Sequence, residues 1–278
     1  MTLPKLEVLT AGPDDPAAGP PLVFLHGAFC GAWIWAEHFL PYFAGKGRRA
    51  VALSLRGHGA SEGHDMLPIA SLDDYLADLD RVLADIGRPP VLIGHSMGGM
   101  VVQRYVERLD RKRFNDPDEP APVAGMALLA ALSPGGLAAT ATHLMLFDPL
   151  VFLQLSALQT FGDHAVLPEG VHRAMFARSA PIALTKKYMP RMQSESRRVQ
   201  LDLMMGAPPW PGNALRIPRL VIGAQDDPFV PPWMARMTAR HYGTEAHILN
   251  DSGHAMMLGP DWETPASMLL DWLGENGI

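Results

Sequence analysis

The chain has 278 residues, 48% hydrophobic and 19% charged, with a formal net charge of −6; that is enough for one large core and argues against wholesale disorder. Its densest basic run is only Arg111-Lys112-Arg113, so it lacks the concentrated Lys and Arg that nucleic-acid phosphates require. The single cysteine, Cys30, excludes a disulfide within the chain and fits a reducing compartment.

The opening stretch, Met1 to Thr10, has no charged segment followed by an apolar one, so no secretory leader is expected. Gly12 to Pro21 is a turn-rich loop. Short apolar runs then recur at Leu22–Leu25, Ala50–Leu55, Val91–Ile93, Met126–Leu132, Leu220–Ile222 and Ala246–Leu249. Continuous apolar runs bounded by Gly or Pro suit strands buried on both faces of a parallel sheet. Helical spacing lies between them. Ser71 caps a stretch to Ile86 with Leu72, Tyr75, Leu76, Leu79, Val82 and Leu83 on one side, and Met97–Leu109, Pro232–Tyr242 and Trp262–Leu273 read similarly. The predicted fold class is α/β: a mostly parallel central sheet with helices on both faces. Residues 134–212 break the rhythm with helical patterns and no convincing strand. They are expected to form a helical cap inserted in a core domain of residues 1–133 and 213–278, over the carboxyl ends of the strands, where open α/β sheets bind ligands. No apolar run reaches spanning length, since Val123–Leu132 is too short and Asp148, Pro149 and Gln154 interrupt Leu144–Leu158. A soluble, cytoplasmic protein is the expectation; the oligomeric state is left open.

The central chemical signal is Gly94-His95-Ser96-Met97-Gly98, a G-x-S-x-G pattern between an apolar run and a helical one. On a tight strand-to-helix turn it exposes the serine hydroxyl at a helix N-terminus, whose positive end favours developing negative charge. A serine nucleophile needs a base. His254, on the polar loop between the last strand and the last helix, is the candidate. The imidazole needs an acid to hold its tautomer. Asp226 and Asp227 both follow the run ending at Ile222; Asp227 is preferred because Asp227-Pro228-Phe229-Val230-Pro231 fixes it on a rigid turn, while Asp226 braces the backbone. An oxyanion hole is expected from the backbone N–H groups of Met97 and Ala28, with Phe29 as the alternative to Ala28.

With these landmarks in order, and with Arg56-Gly57-His58-Gly59-Ala60-Ser61 between them, the chain resembles the α/β-hydrolase superfamily along nearly its whole length. The phrase His26-Gly27-Ala28-Phe29-Cys30-Gly31-Ala32-Trp33-Ile34-Trp35 is similar to the loop of plant methylesterases and hydroxynitrile lyases, a likeness that implies an oxyanion amide at Ala28. The lyases carry threonine where Gly27 stands and lysine where Ala255 stands, which favours ester hydrolysis here. Dehalogenases and epoxide hydrolases use an aspartate nucleophile, whereas this elbow offers Ser96. The resulting expectation is a serine hydrolase of hydrophobic esters. A thioesterase, lactonase, perhydrolase or lyase would use nearly the same residues, and a small-ligand receptor is the alternative without catalysis. Phe29, His95, Trp33 and Met145 are candidate substrate contacts. His26, His58 and His95 are read as bracing residues. His143, His164 and His172 lack metal-ligand spacing, so neither metal nor cofactor is expected.

Overall fold

Strands that are apolar on every residue must be covered on both faces, and the chain is built to do so. The structure is a computed structural model that describes residues 3–115, 122–161, 165–210, 212 and 215–278. In chain order its elements are β1 (Val8–Ala11), β2 (Leu22–Leu25), α1 (Trp33–Ala36), α2 (Phe39–Gly45), β3 (Ala50–Leu53), α3 (Leu72–Ile86), β4 (Val91–His95), α4 (Met97–Asn115) and β5 (Gly125–Leu129). There follow α5 (Gly136–Phe147), α6 (Pro149–Phe161), α7 (Pro168–Met175), α8 (Ile182–Tyr188), α9 (Arg197–Met205), β6 (Arg219–Ala224), α10 (Pro232–His241), β7 (Ala246–Leu249) and α11 (Glu263–Glu275).

The strands form one sheet in the order β1-β3-β2-β4-β5-β6-β7. All neighbours are parallel except β1, which runs antiparallel to β3 with Val8 opposite Leu53. Alternate residues serve opposite faces. Leu22, Phe24, Val91, Ile93 and Ile222 pack with Trp35, Phe39 and Leu269 on the side of α1, α2 and α11. Val23, Leu25, Leu92, Leu128 and Val221 pack with Tyr75, Leu79, Val102 and Ala235 on the side of α3, α4 and α10.

β1 and the end of β5 depart from the sequence reading. β1 was not anticipated, because an edge strand of four half-exposed residues carries little apolar signal. β5 stops at Leu129 although the apolar run continues to Leu132, because Ala130 turns to a φ of 43°. The helix expected from Ser71 is capped as anticipated: the Ser71 hydroxyl accepts from the Asp74 N–H while the Asp74 carboxylate accepts from the Ser71 N–H. Between β5 and β6 the described residues form helices and loops without a strand. The expected far boundary of that insertion, at residue 213, lies outside the described residues.

Candidate active site

Ser96 follows the last residue of β4 and precedes the first of α4. Its φ is 53°, the left-handed region that residues other than Gly, Asn and Asp seldom enter. Strain of this kind costs roughly 1–3 kcal/mol and persists only where the surroundings over-determine it. They do: the Ser96 N–H donates to Leu129 O at 3.2 Å, and the Ser96 carbonyl accepts from Gly99 and Leu132 at 3.0 and 3.1 Å. The turn is also too tight for side chains on either side. A Cβ at Gly94 would lie 2.6 Å from the Gly98 oxygen, and one at Gly98 would lie 2.7 Å from the Leu25 oxygen.

His254 and Asp227 arrive from the ends of the two strands beyond β5. The Asp227 carboxylate is buried, with Oδ2 2.8 Å from His254 Nδ1. Its other oxygen accepts from the backbone N–H groups of Phe229 and Val230 at 2.8 and 3.0 Å, which fixes the rotamer that faces the imidazole. Asp226 points elsewhere: its Oδ2 accepts from the Arg178 N–H at 3.3 Å, and its own N–H donates to Ser252 O. The His254 loop is pressed against the insertion. The Ala255 N–H donates to Met175 O at 2.7 Å, and a Cβ on Gly253 would meet the Ala177 nitrogen at 2.6 Å.

Ser96, His254, Ala28 and Met97 line one cavity of about 640 Å³. The Met97 N–H is the first amide of α4 and has no carbonyl within the helix to receive it. Ala28 lies on a turn whose next residue, Phe29, has a φ of 65°. Most of the remaining wall is apolar, from Leu137, Leu144, Met145, Phe152, Leu158, Met175, Met192 and Met204. Of the four candidate substrate contacts, Phe29, His95 and Met145 line this cavity. Trp33 does not: it is absent from the lining, and its ring stacks on Tyr188 at 6.0 Å with the Arg191 guanidinium over it. Its place in the first turn of α1 directs it into the packing with α8. Cys30 borders the cavity, but burial, and then the nearby Glu195, push its thiol up to about 12, so it is not a nucleophile at neutral pH. Among the described residues no His, Cys, Asp or Glu cluster is placed to hold a metal ion, and no helix is long and apolar enough to cross a membrane. His164 lies outside the described residues.

The alpha/beta hydrolase family profile matches residues 22–265. The chain belongs to that family. It is 38% identical over 128 residues to a non-heme chloroperoxidase of Streptomyces lividans, a match covering 44% of this chain and 40% of that one. A putative non-heme bromoperoxidase, BpoC, of Mycobacterium tuberculosis is 26% identical over 261 residues, covering 87% and 89%. The chain aligns with only about a third to two fifths of the length of the Streptomyces lividans protein and of two similar curated haloperoxidases. Among solved structures, an esterase of Exiguobacterium antarcticum superposes with a TM-score of 0.73 over 98% of this chain and 96% of that one, at 18% identity, a likeness of fold.

Within this hydrolase fold His26 and His95 hold backbone groups through their ring nitrogens. His26 Nε2 accepts from the Leu55 N–H at 3.1 Å, so the ring proton sits on Nδ1 and is donated to Gly27 O. Burial, reinforced by nearby His58, pushes His26 down to about 3, keeping it neutral. His95 is held well below its ordinary value by burial and by adjacent His254, and its Nε2 donates to the His254 carbonyl at 2.9 Å. A neutral buried ring that supports the His254 backbone suits bracing rather than proton transfer.

His58 is different, and its partner went unnoticed in the sequence. Burial opposes its charge, but Glu195, 3.1 Å from Nε2, more than offsets that and raises its pKa. Burial likewise opposes ionisation of Glu195, yet His58, the Tyr75 hydroxyl and the Ser196 N–H together hold its carboxyl below the usual value. A residue 137 positions away cannot be paired with His58 by spacing; the only available signal was that a buried His58 needs an acid. Removing one member of a buried pair leaves the other uncompensated, so Glu195→Ala is expected to destabilise by about 3–5 kcal/mol. A group whose pKa rises on folding stabilises most below its ordinary value, 6.5 for His58, and loses that contribution as pH rises through the raised value. Lowered Glu195 contributes fully above its ordinary 4.5 and loses its contribution as pH falls through the depressed value. Urea unfolding of wild type and variant should therefore differ most between about pH 4.5 and 6.5, and the gap should narrow as pH rises through the raised His58 value.

Proposed function

We propose that the protein is a serine hydrolase that cleaves carboxylic esters of apolar acyl or alkyl groups through an acyl-Ser96 intermediate. The observation that carries this reading is a left-handed Ser96 sharing an apolar cavity with His254, whose Nδ1 is held by Asp227. In this mechanism Ser96 Oγ attacks the ester carbonyl as His254 Nε2 takes its proton. The Ala28 and Met97 N–H groups receive the oxyanion. The imidazolium then protonates the departing alkoxide, and a water activated by His254 hydrolyses the acyl-enzyme. Residues 134–212 act as the cap that gives the acyl group its apolar wall.

The lyase reading is weaker, because a Cβ at Gly27 would lie 2.9 Å from both Ser96 Cβ and His95 Nδ1, and the buried Ala255 supplies no cation. The peroxidase names of the two curated relatives favour one second reading, in which hydrogen peroxide replaces water in the deacylation step.

The test is a fluorophosphonate label followed by a p-nitrophenyl ester series. Stoichiometric modification of Ser96 is expected; an unlabelled protein supports the receptor reading instead. Each buried methylene is worth about 0.8 kcal/mol, roughly fourfold, so kcat/KM should climb by about that factor per carbon from acetate until the cavity fills. A strict preference for acetate or for a charged acid overturns the apolar-ester assignment. Peracid formation on adding peroxide would select the second reading.

A further inference from the structure

One feature of the site is used by none of the steps above. Phe29, immediately after the proposed oxyanion donor Ala28, is a bulky residue at a φ of 65°, a conformation that needs an external hold. The hold comes from a strap of chain between α8 and α9. The Gln193 N–H donates to the Phe29 carbonyl at 3.0 Å. The Gln193 side chain is pinned at both ends: its Nε2 donates to Gly57 O at 2.6 Å, and its Oε1 accepts from the Gly59 N–H at 2.9 Å. Just beyond it, Glu195 is locked by His58 and Tyr75, and its backbone is clasped by the Gln159 amide at 2.7 and 3.2 Å. Gly57 and Gly59, with φ values of 72° and 53°, form a turn that most side chains would not allow, which leaves the Gly57 carbonyl and the Gly59 N–H free to meet the Gln193 amide.

We propose that Gln193 is a positioning residue for the oxyanion hole: it anchors the strap to the 57–59 turn, and the strap's backbone holds Phe29 so that the Ala28 N–H faces the cavity. The inference rests on the ester-hydrolase reading and adds a second support for the transition state, supplied from the insertion rather than from the sheet. Peptide groups are rigid planes joined at the Cα atoms, and the Phe29 carbonyl lies two planes beyond the one that carries the Ala28 N–H, so releasing it frees the φ and ψ rotations of Phe29 and Ala28 and, through them, the direction of that amide. The ground-state ester, which needs no strong donor there, is bound nearly as before. The tetrahedral oxyanion loses alignment, and small misplacements of this kind cost up to about 100-fold in rate.

The experiment compares wild type with Gln193→Ala and with Gln193→Met, which keeps the bulk and loses both polar contacts. Three quantities are read: kcat and KM on a neutral p-nitrophenyl ester, the inhibition constant of a matching trifluoromethyl ketone that adds to Ser96 as a tetrahedral oxyanion, and that of the corresponding secondary alcohol, which cannot. Expected are a kcat lower by about 10–100-fold, KM within about twofold, weakening of the ketone by the same factor as kcat, and an unchanged alcohol. A kcat at the wild-type level, or ketone and alcohol weakened alike in whichever variant folds, overturns the positioning role while leaving the hydrolase reading standing. Wild-type protein inert to ester and ketone alike overturns the hydrolase reading and this inference with it.

Discussion

Replacing Ser96 with alanine is expected to lower ester turnover by about 10⁶-fold, to the level that binding and oxyanion contacts alone provide. The variant should still fold, because the hydroxyl supports none of the contacts that hold the turn; those contacts use the Ser96 backbone N–H and carbonyl. Alanine inherits the strained φ of 53°. Glycine does not, since it enters the left-handed region at no steric penalty, and an L-residue there pays roughly 1–2 kcal/mol. Ser96→Gly should therefore be as inactive as Ser96→Ala yet more resistant to urea by about 1 kcal/mol. A glycine variant no more stable than the alanine one would mean that the elbow stores no strain. Residual turnover near wild type in either would remove Ser96 as the nucleophile.

The second large effect is expected at Asp227. In Asp227→Asn the amide oxygen is held where Oδ1 now accepts the Phe229 and Val230 N–H groups. The NH₂ group is thereby turned toward His254 Nδ1, in place of the carboxylate oxygen 2.8 Å away. A donor there forces Nδ1 to accept and leaves the proton on Nε2, the nitrogen that must take the serine proton. The wrong tautomer should cost about 10⁴-fold in kcat. Asp226→Asn keeps an oxygen for the Arg178 N–H and should change kcat by no more than a few-fold. Steady-state kinetics of the two variants on one ester decide the matter, and equal losses would sink the assignment of the acid.

The sheet and the three polar residues were legible for a common reason. β2 to β6 are apolar along nearly their whole length because helices cover both faces, and that pattern shows in a single sequence. Ser96 and His254 sit where these runs give way to loops, and Asp227 follows the run that becomes β6, so position relative to the strands was enough to single them out as candidates. What stayed hidden has no local signature. β1 is half exposed and pairs only at the edge. Trp33 stands close to Ala28 and Phe29 in sequence, but the helical direction of α1 carries its ring toward Tyr188. Glu195 and Gln193 act on His58, Gly57 and Phe29 across more than a hundred residues of chain, a pairing that exists only after α5 to α9 have folded back over the sheet.

That folding back is not equal along the insertion. The stretch from Met175 to Arg178 touches the histidine and aspartate loops through Ala255, Gly253 and Asp226, whereas Met145, Leu201 and Met204 border the cavity with one side open to solvent. Mutational libraries should divide accordingly. Randomising the second group should yield folded enzymes with altered substrate range, and randomising the first should return mostly dead clones. Selection for new substrates would thus find its freedom in α5 and α9 and a fixed floor at the end of α7.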